Sequence, residues 1–354
     1  MPGQSMIPYR VFISYSHDKD DQELVHQISE NLEKEGLTVM WDQKFSVGTG
    51  FHEQIKNFIK YSHVFLPIVT KSSSERGWVH QEIGYAVAHN IPILPLAIEM
   101  LPDAMMRELH AILVPRDPEI IREKLKYNVF ANLIQRYENP IYATYQCAEF
   151  TEDRAILMEK YARDVLWMKK YGMVRQKGGL SSFHIPGEVI THRVWKDRYG
   201  KVRMSSYHCR CQRAERLALE EHAAQEGCKL IISPDLTYNV YGRAARKKRL
   251  EWLIKFLDSS NGKKAKIAFY SEKETHSSIT IVGNWFYSES HSGKQGRGYN
   301  QTIFTSHAPS IEHRIELFDQ EFSELLDNMG WDENNCREKA IERIKEIIGT
   351  IKIP

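Results

Sequence analysis

Over the first hundred residues the apolar positions switch between two periods, and the switching marks out a β-α-β-α order. Residues 9–15 (YRVFISY) form a β-rich run that ends in Ser16, His17 and Asp18, residues that favour loops and helix caps. Asp20 or Asp21 then caps a helix that runs to Glu35, with Leu24, Val25, Ile28 and Leu32 at helical spacing. Gly36 supplies its stop. Residues 37–41 (LTVMW) read as a second strand, 42–50 as a loop carrying Gly48 and Gly50, and 51–60 as a helix with Ile55, Phe58 and Ile59 on one face. The third strand, 63–70 (HVFLPIVT), is almost wholly apolar, the pattern of a strand covered on both faces.

A serine-rich loop at 71–77 precedes a helix over 78–89. Residues 91–98 (IPILPLAI) read as a fourth strand, which Pro92 and Pro95 make either an edge strand or a short one. Residues 109–114 add a fifth strand, and a helix follows from about 118 to 137. Strands and helices alternating through short loops predict a doubly wound parallel sheet, an α/β fold. In such sheets ligands bind beyond the carboxyl ends of the strands. The loops at Ser16, at 42–50 and at 71–77 all fall at that end and are expected to line one crevice.

The remainder reads as a second α/β domain. Helices are expected over 149–172, 213–227, 243–257, 311–329 and 335–348, and strands over 228–233 (CKLIIS), 266–270, 278–285 and 301–305. The domain boundaries drawn from this pattern are 1–145 and 146–354. No internal repeat interrupts them.

Composition narrows the class. Among 354 residues, 48 Lys and Arg oppose 46 Asp and Glu, a formal charge of +2, so the chain is not a polycation, although a local basic patch is still open. No apolar run approaches the ~20 residues that span a bilayer, and residues 1–10 lack the apolar core of a secretory signal. Five cysteines, an odd and sparse set, read as reduced thiols. A cytoplasmic protein without a membrane partner is the expectation.

Trp78 and Glu82 stand four apart, one turn from each other on the same face of a helix that follows the serine loop. An aromatic ring beside a carboxylate at a cleft mouth suits cleavage of an N-glycosidic bond to a cationic base. The ring stacks the leaving heterocycle, and the carboxylate stabilises or traps an oxocarbenium-like sugar. On spacing alone the pair is most simply a core tryptophan and a solvated glutamate.

Three stretches, in this order and spacing, resemble the Toll/interleukin-1 receptor (TIR) domain. They are VFISYSHDKDD at 11–21, WDQKFSVGTGFHEQI at 41–55, and IKNFIKYSHVFLPIVTKSSSERGWVHQEIGYAV at 55–87. The likeness covers the first ~140 residues, about two-fifths of the chain. It implies a flavodoxin-like fold and, as in many TIR enzymes, hydrolysis or cyclisation of NAD+. NAD+ would be the substrate, with no cofactor and no metal. Glu82 matches the family's catalytic glutamate, and Trp78 lies in the same motif. Tyr15, Ser16 and His17 would border the nucleotide, while Trp41, Asp42 and Gly48 would border the site in the BB-loop region, where neighbouring TIR domains assemble. The resemblance therefore implies a homo-oligomer through TIR–TIR contacts and an effector of the prokaryotic antiviral type. The rival is a scaffold that acts by homotypic contacts, with Glu82 merely at the surface. A third reading makes the TIR domain the producer of a messenger.

In the second half Arg243, Arg246, Lys247 and Arg249 form a basic cluster with Lys248. Such a cluster is most simply a solvated helix face, and functionally a surface for a nucleotide messenger or another phosphate-bearing ligand. The element order around it faintly resembles phospholipase-D-like modules, without their H-x-K-x-x-x-x-D signature, which implies a sensor or regulatory domain. His208, Cys209 and Cys211 lack the second ligand pair of a structural zinc site. The glycines of GKQGRG (Gly293, Gly296, Gly298) lack the strand–loop–helix context of a phosphate loop.

Overall fold

The computed structural model describes residues 7–16, 18–41, 51–74, 77–100, 111–137, 145–178, 195–196, 202–203, 206–234, 242–259, 262–270, 277–292 and 299–352. The chain divides into two units, 1–143 and 144–354.

The first unit runs β1 (Arg10–Ser14), α1 (Lys19–Lys34), β2 (Thr38–Trp41), α2 (Phe51–Tyr61), β3 (Val64–Val69), α3 (Lys71–Ser74), α4 (Gly77–Ala88), β4 (Leu96–Ile98), β5 (Ile112–Val114), α5 (Pro118–Lys124) and α6 (Tyr127–Tyr137). Its five strands are parallel in the order β2-β1-β3-β4-β5. Every residue of β1 and β3 is buried, as near-continuous apolar runs demand in a sheet covered on both sides. Leu24, Val25, Ile28 and Leu32 of α1 are buried, and Gly36 ends that helix with φ +85°, a conformation glycine adopts without a Cβ penalty. From β1 the chain moves one way to β2 and then returns past β1 to β3, β4 and β5. Right-handed crossovers therefore place α1 opposite α2 and α4, and α1 packs with α5 while α2 packs with α4.

Of the two expectations for the fourth strand, the short strand holds and the edge position does not. Only Leu96–Ile98 is strand, and it lies between β3 and β5, not at an edge. Both prolines fall outside it, so neither removes a donor from that strand. Among the described residues Pro67 is the proline that sits within a strand: it lies in β3 opposite Ser14. Lacking an N–H, it separates the Phe65–Ile93 bridge to the β4 side from the Ile68–Leu96 pairing. The helix expected over 118–137 is two helices, broken at Leu125.

The second unit holds β6 (Tyr145–Ala148), α7 (Thr151–Trp167), β7 (Val174–Lys177), the short pair β8 (Trp195–Lys196) and β9 (Val202–Arg203), α8 (Ser206–Glu226), β10 (Cys228–Ile232), α9 (Gly242–Asp258), β11 (Ala265–Phe269), β12 (Ser277–Val282), β13 (Phe286–Ser292), β14 (Tyr299–Thr305), α10 (Ala308–Met329) and α11 (Cys336–Thr350). Seven strands form one mixed sheet, β11-β10-β7-β12-β13-β14-β6. Tyr161 of α7 packs on Phe286 and Phe304, which fixes α7 on one face. Ile231, Ala268, Ile281 and Tyr287 meet Phe318 and Phe322 of α10 on the other.

Two polar features shape this unit. Lys266, Lys229 and Arg175 stand side by side in register on adjacent strands. Asp319 of α10 accepts from Arg175 and Lys229, and Glu333 pairs with Lys229 and Lys266. Between α7 and α8, His222 is wholly buried. Its Nδ1 accepts from the Gly172 amide at 3.2 Å, so its Nε2 donates to the Ala162 carbonyl at 3.0 Å. Between the same two helices Arg154 pairs with the buried Glu215 at 2.8 Å, yet burial outweighs the arginine and keeps the Glu215 carboxyl above its usual range.

Candidate active site

The strand order reverses between β1 and β3, which makes their carboxyl ends the switch point of the first sheet. Alternation along β1 decides which side chains point where. Phe12 stacks on Phe58 of α2 at 5.5 Å, so it faces the α2 and α4 side. Ser14, two residues on, faces the same way. There its hydroxyl donates to Oε2 of Glu82 at 2.6 Å. Glu82 lies in the second turn of α4 and is only 7% exposed; Ser14 is 3% exposed. A carboxylate this buried needs a donor, because desolvating it uncompensated costs several kcal/mol. Ser14 supplies one and fixes the direction of the carboxyl group.

On the opposite face a second carboxylate sits at the same strand ends. Asp21, in the first turn of α1, is 2% exposed. It accepts from Ser16 Oγ at 2.5 Å, Thr70 Oγ1 at 2.7 Å and Arg116 Nη2 at 2.6 Å. Ser73 in turn accepts from the Thr70 amide at 2.7 Å. Above this network opens a cleft of about 540 Å³, lined by Asp18, Lys19, Thr70, Lys71 and Arg116 with Asp20 and Asp21. Glu82 is not among its lining residues.

The residues expected at the site fall into two groups. Glu82 approaches from the α4 side. Ser16 joins the Asp21 network on the α1 side. Trp41, in register with Ile13, also faces α1, where it meets His26 and the ring of Tyr15. Tyr15 is buried there. The backbone of Trp78 lies in the first turn of α4, and its side chain lies outside the described residues, as do His17, Asp42 and Gly48. Ser14, Asp21, Thr70 and Arg116 are the polar residues that sequence reasoning missed. Ser14 was readable from alternation past Phe12, and Thr70 from its place just after an apolar strand. Arg116 follows a three-residue strand with no distinguishing pattern.

Residues 11–125 match the family model described as TIR domain. This stretch is a TIR domain. One solved structure similar to the chain, described as a Clostridium botulinum CMP N-glycosidase, aligns at 19% identity over 32% of this chain and 96% of its own, with a TM-score of 0.26. That score is too low to bear on fold or activity. No match was found among curated proteins.

Outside the TIR domain, the basic cluster does not present one solvated face. Arg246 donates from Nε and Nη2 to the Pro234 carbonyl at 2.9 and 2.7 Å, and Arg249 is buried. Arg243 and Lys248 are exposed, and Lys247 is half-buried. His307 pairs with Ser310, and His291 lies 3.7 Å from Glu289; the GKQGRG glycines lie outside the described residues. Among the described residues no three His, Cys, Asp or Glu side chains gather as a metal would require, and no helix is long and apolar enough to cross a membrane.

Proposed function

We propose that the TIR domain cleaves the bond between nicotinamide and ribose in NAD+, with Glu82 as the catalytic carboxylate. One observation carries this reading: a buried glutamate, aimed by the Ser14 hydroxyl, at the switch point of a parallel sheet. Nicotinamide leaves with the electron pair of the C1′–N bond, which neutralises its pyridinium charge. Positive charge develops on the ribose, and Glu82 stabilises it at close range. Water then attacks C1′ and loses a proton, giving ADP-ribose. Attack by the adenine of the same molecule gives a cyclic isomer instead.

In this account Ser14 keeps the carboxylate directed at the sugar and the aromatic residues of the strand ends contact the bases. Assembly through TIR–TIR contacts completes the site, and the second unit senses the signal that drives assembly, in a role suited to antiviral defence. The exposed part of the α9 cluster, Arg243 with Lys248, is the portion open to a phosphate-bearing signal. A scaffold reading draws on a different observation: the strand-end cleft is lined without Glu82. The test offers the full-length protein NAD+ and, separately, cytidine and adenosine monophosphates, and measures the released base by chromatography. Nicotinamide release alone supports the proposal. Release of cytosine or adenine in its place refutes NAD+ as the substrate, and no release under any assembling condition favours the scaffold.

A further inference from the structure

We infer that Asp21 and its three donors are positioning residues for Glu82, acting across the sheet; this rests on the catalytic reading of Glu82 above. Asp21 lies in α1, yet its carboxylate ties together three segments that follow three different strands. Ser16 follows β1, Thr70 follows β3 and Arg116 follows β5. Ser16 is two residues beyond Ser14, and Pro67, in register with Ser14, is three residues before Thr70. The end of β1 is thus gripped from both faces: Ser14 by Glu82 on one side, Ser16 by Asp21 on the other.

The grip has consequences for geometry. Ser14 directs the Glu82 carboxyl group only as accurately as its own backbone is fixed, and it is the last residue of its strand. Beyond it no ladder continues in β1, so side-chain bonds take over. Asp21 supplies them in a buried setting, where hydrogen bonds to a charged acceptor are strong and short. Thr70 and Arg116 also line the strand-end cleft. Occupancy of that cleft therefore bears on the same network that fixes the end of β1.

Thr70 gives the cleanest test, because Thr70→Val removes the hydroxyl at constant shape and Thr70→Ser keeps it. With full-length protein and NAD+, the expected result for Thr70→Val is a kcat about tenfold lower with KM within about twofold, the signature of a loss felt only in the transition state. Thr70→Ser restores kcat. In parallel, the ¹³C carboxyl resonance of Glu82, identified by its loss in Glu82→Gln, is expected to shift in Thr70→Val and not in Thr70→Ser. This arm needs no turnover, so it decides the inference even where NAD+ proves not to be the substrate. Equal kcat in the two Thr70 variants, or a Glu82 resonance unmoved in Thr70→Val, overturns it.

Discussion

Ser14→Ala is the perturbation that reaches the Glu82 carboxylate, the proposed catalytic group, with least collateral change. It deletes one oxygen from the end of a strand whose five residues are all buried, so the backbone has little reason to move. The lost interaction is a 2.6 Å hydrogen bond from a hydroxyl to a carboxylate, with donor 3% and acceptor 7% exposed. Hydrogen bonds to charged groups contribute roughly 1.5–3 kcal/mol. If the whole of that is felt as charge develops on the ribose, then at about 1.4 kcal/mol per decade the rate falls by roughly 10- to 150-fold. The assay is nicotinamide release from NAD+ at saturating substrate, with Glu82→Gln alongside as the fully impaired reference. KM should change little, because Ser14 touches the carboxylate and not the substrate. A Ser14→Ala kcat within about twofold of the parent, while Glu82→Gln is inactive, would refute the claim that Ser14 aims Glu82.

Three further outcomes concern the second unit. Burial lowers the His222 pKa from 6.5 to about 4, so the folded ring stays neutral while the unfolded one protonates first; stability is then lost as pH falls through that interval, by roughly 3 kcal/mol. NMR of the His222 ring should show no protonation between pH 7.5 and 5, and a midpoint near 6.5 would contradict this. Burial opposes ionisation of Asp319 and Glu333, but the hydrogen bonds and charges of Arg175, Lys229 and Lys266 prevail and lower both pKa values. Their contribution is present above the ordinary carboxylate range and lost as pH drops below about 4, so calorimetry should show an acid-dependent loss of Tm that Asp319→Asn reduces. Gly172→Ala would place a Cβ 2.6 Å from the Gly283 backbone nitrogen, and overpacking of this kind costs about 1–3 kcal/mol, readable as a lower urea midpoint.

The TIR sheet was legible because its strands declare themselves by composition. The run from Val64 to Val69 is buried at every position, and only a strand flanked by helices on both faces tolerates that. Helix α1 was equally plain, with its stripe ending at Gly36. For β4 the two prolines pointed rightly to a short strand but wrongly to an edge: the chain enters the strand only after both, and β5 pairs on its far side. In the second unit β7 went unseen: buried Val174 and Gln176 alternate with the cationic Arg175 and Lys177, which find carboxylates on α10, partners some 140 residues away. The strand expected over 278–285 ends at Val282, before a turn at Gly283 where φ is +50°, and its hairpin partner Phe286–Ser292 went unread.

The site was half legible. The W-x-x-x-E spacing pointed to Glu82 and alternation past Phe12 makes Ser14 readable, but the aspartate on the other face does not stand out in a linear reading. Ser14 and Asp21 matter through contacts that join positions 14 with 82, and 21 with 70 and 116. The basic stretch at 243–249 misled for the opposite reason. A charge run says nothing of which arginines turn inward, and Arg246 and Arg249 do.

The most direct measurement is NAD+ consumption by the full-length chain and by Glu82→Gln, compared under the same assembling conditions and at matched circular dichroism. The account predicts nicotinamide release by the parent and none above background by the variant. Release by Glu82→Gln at the parent rate would contradict it.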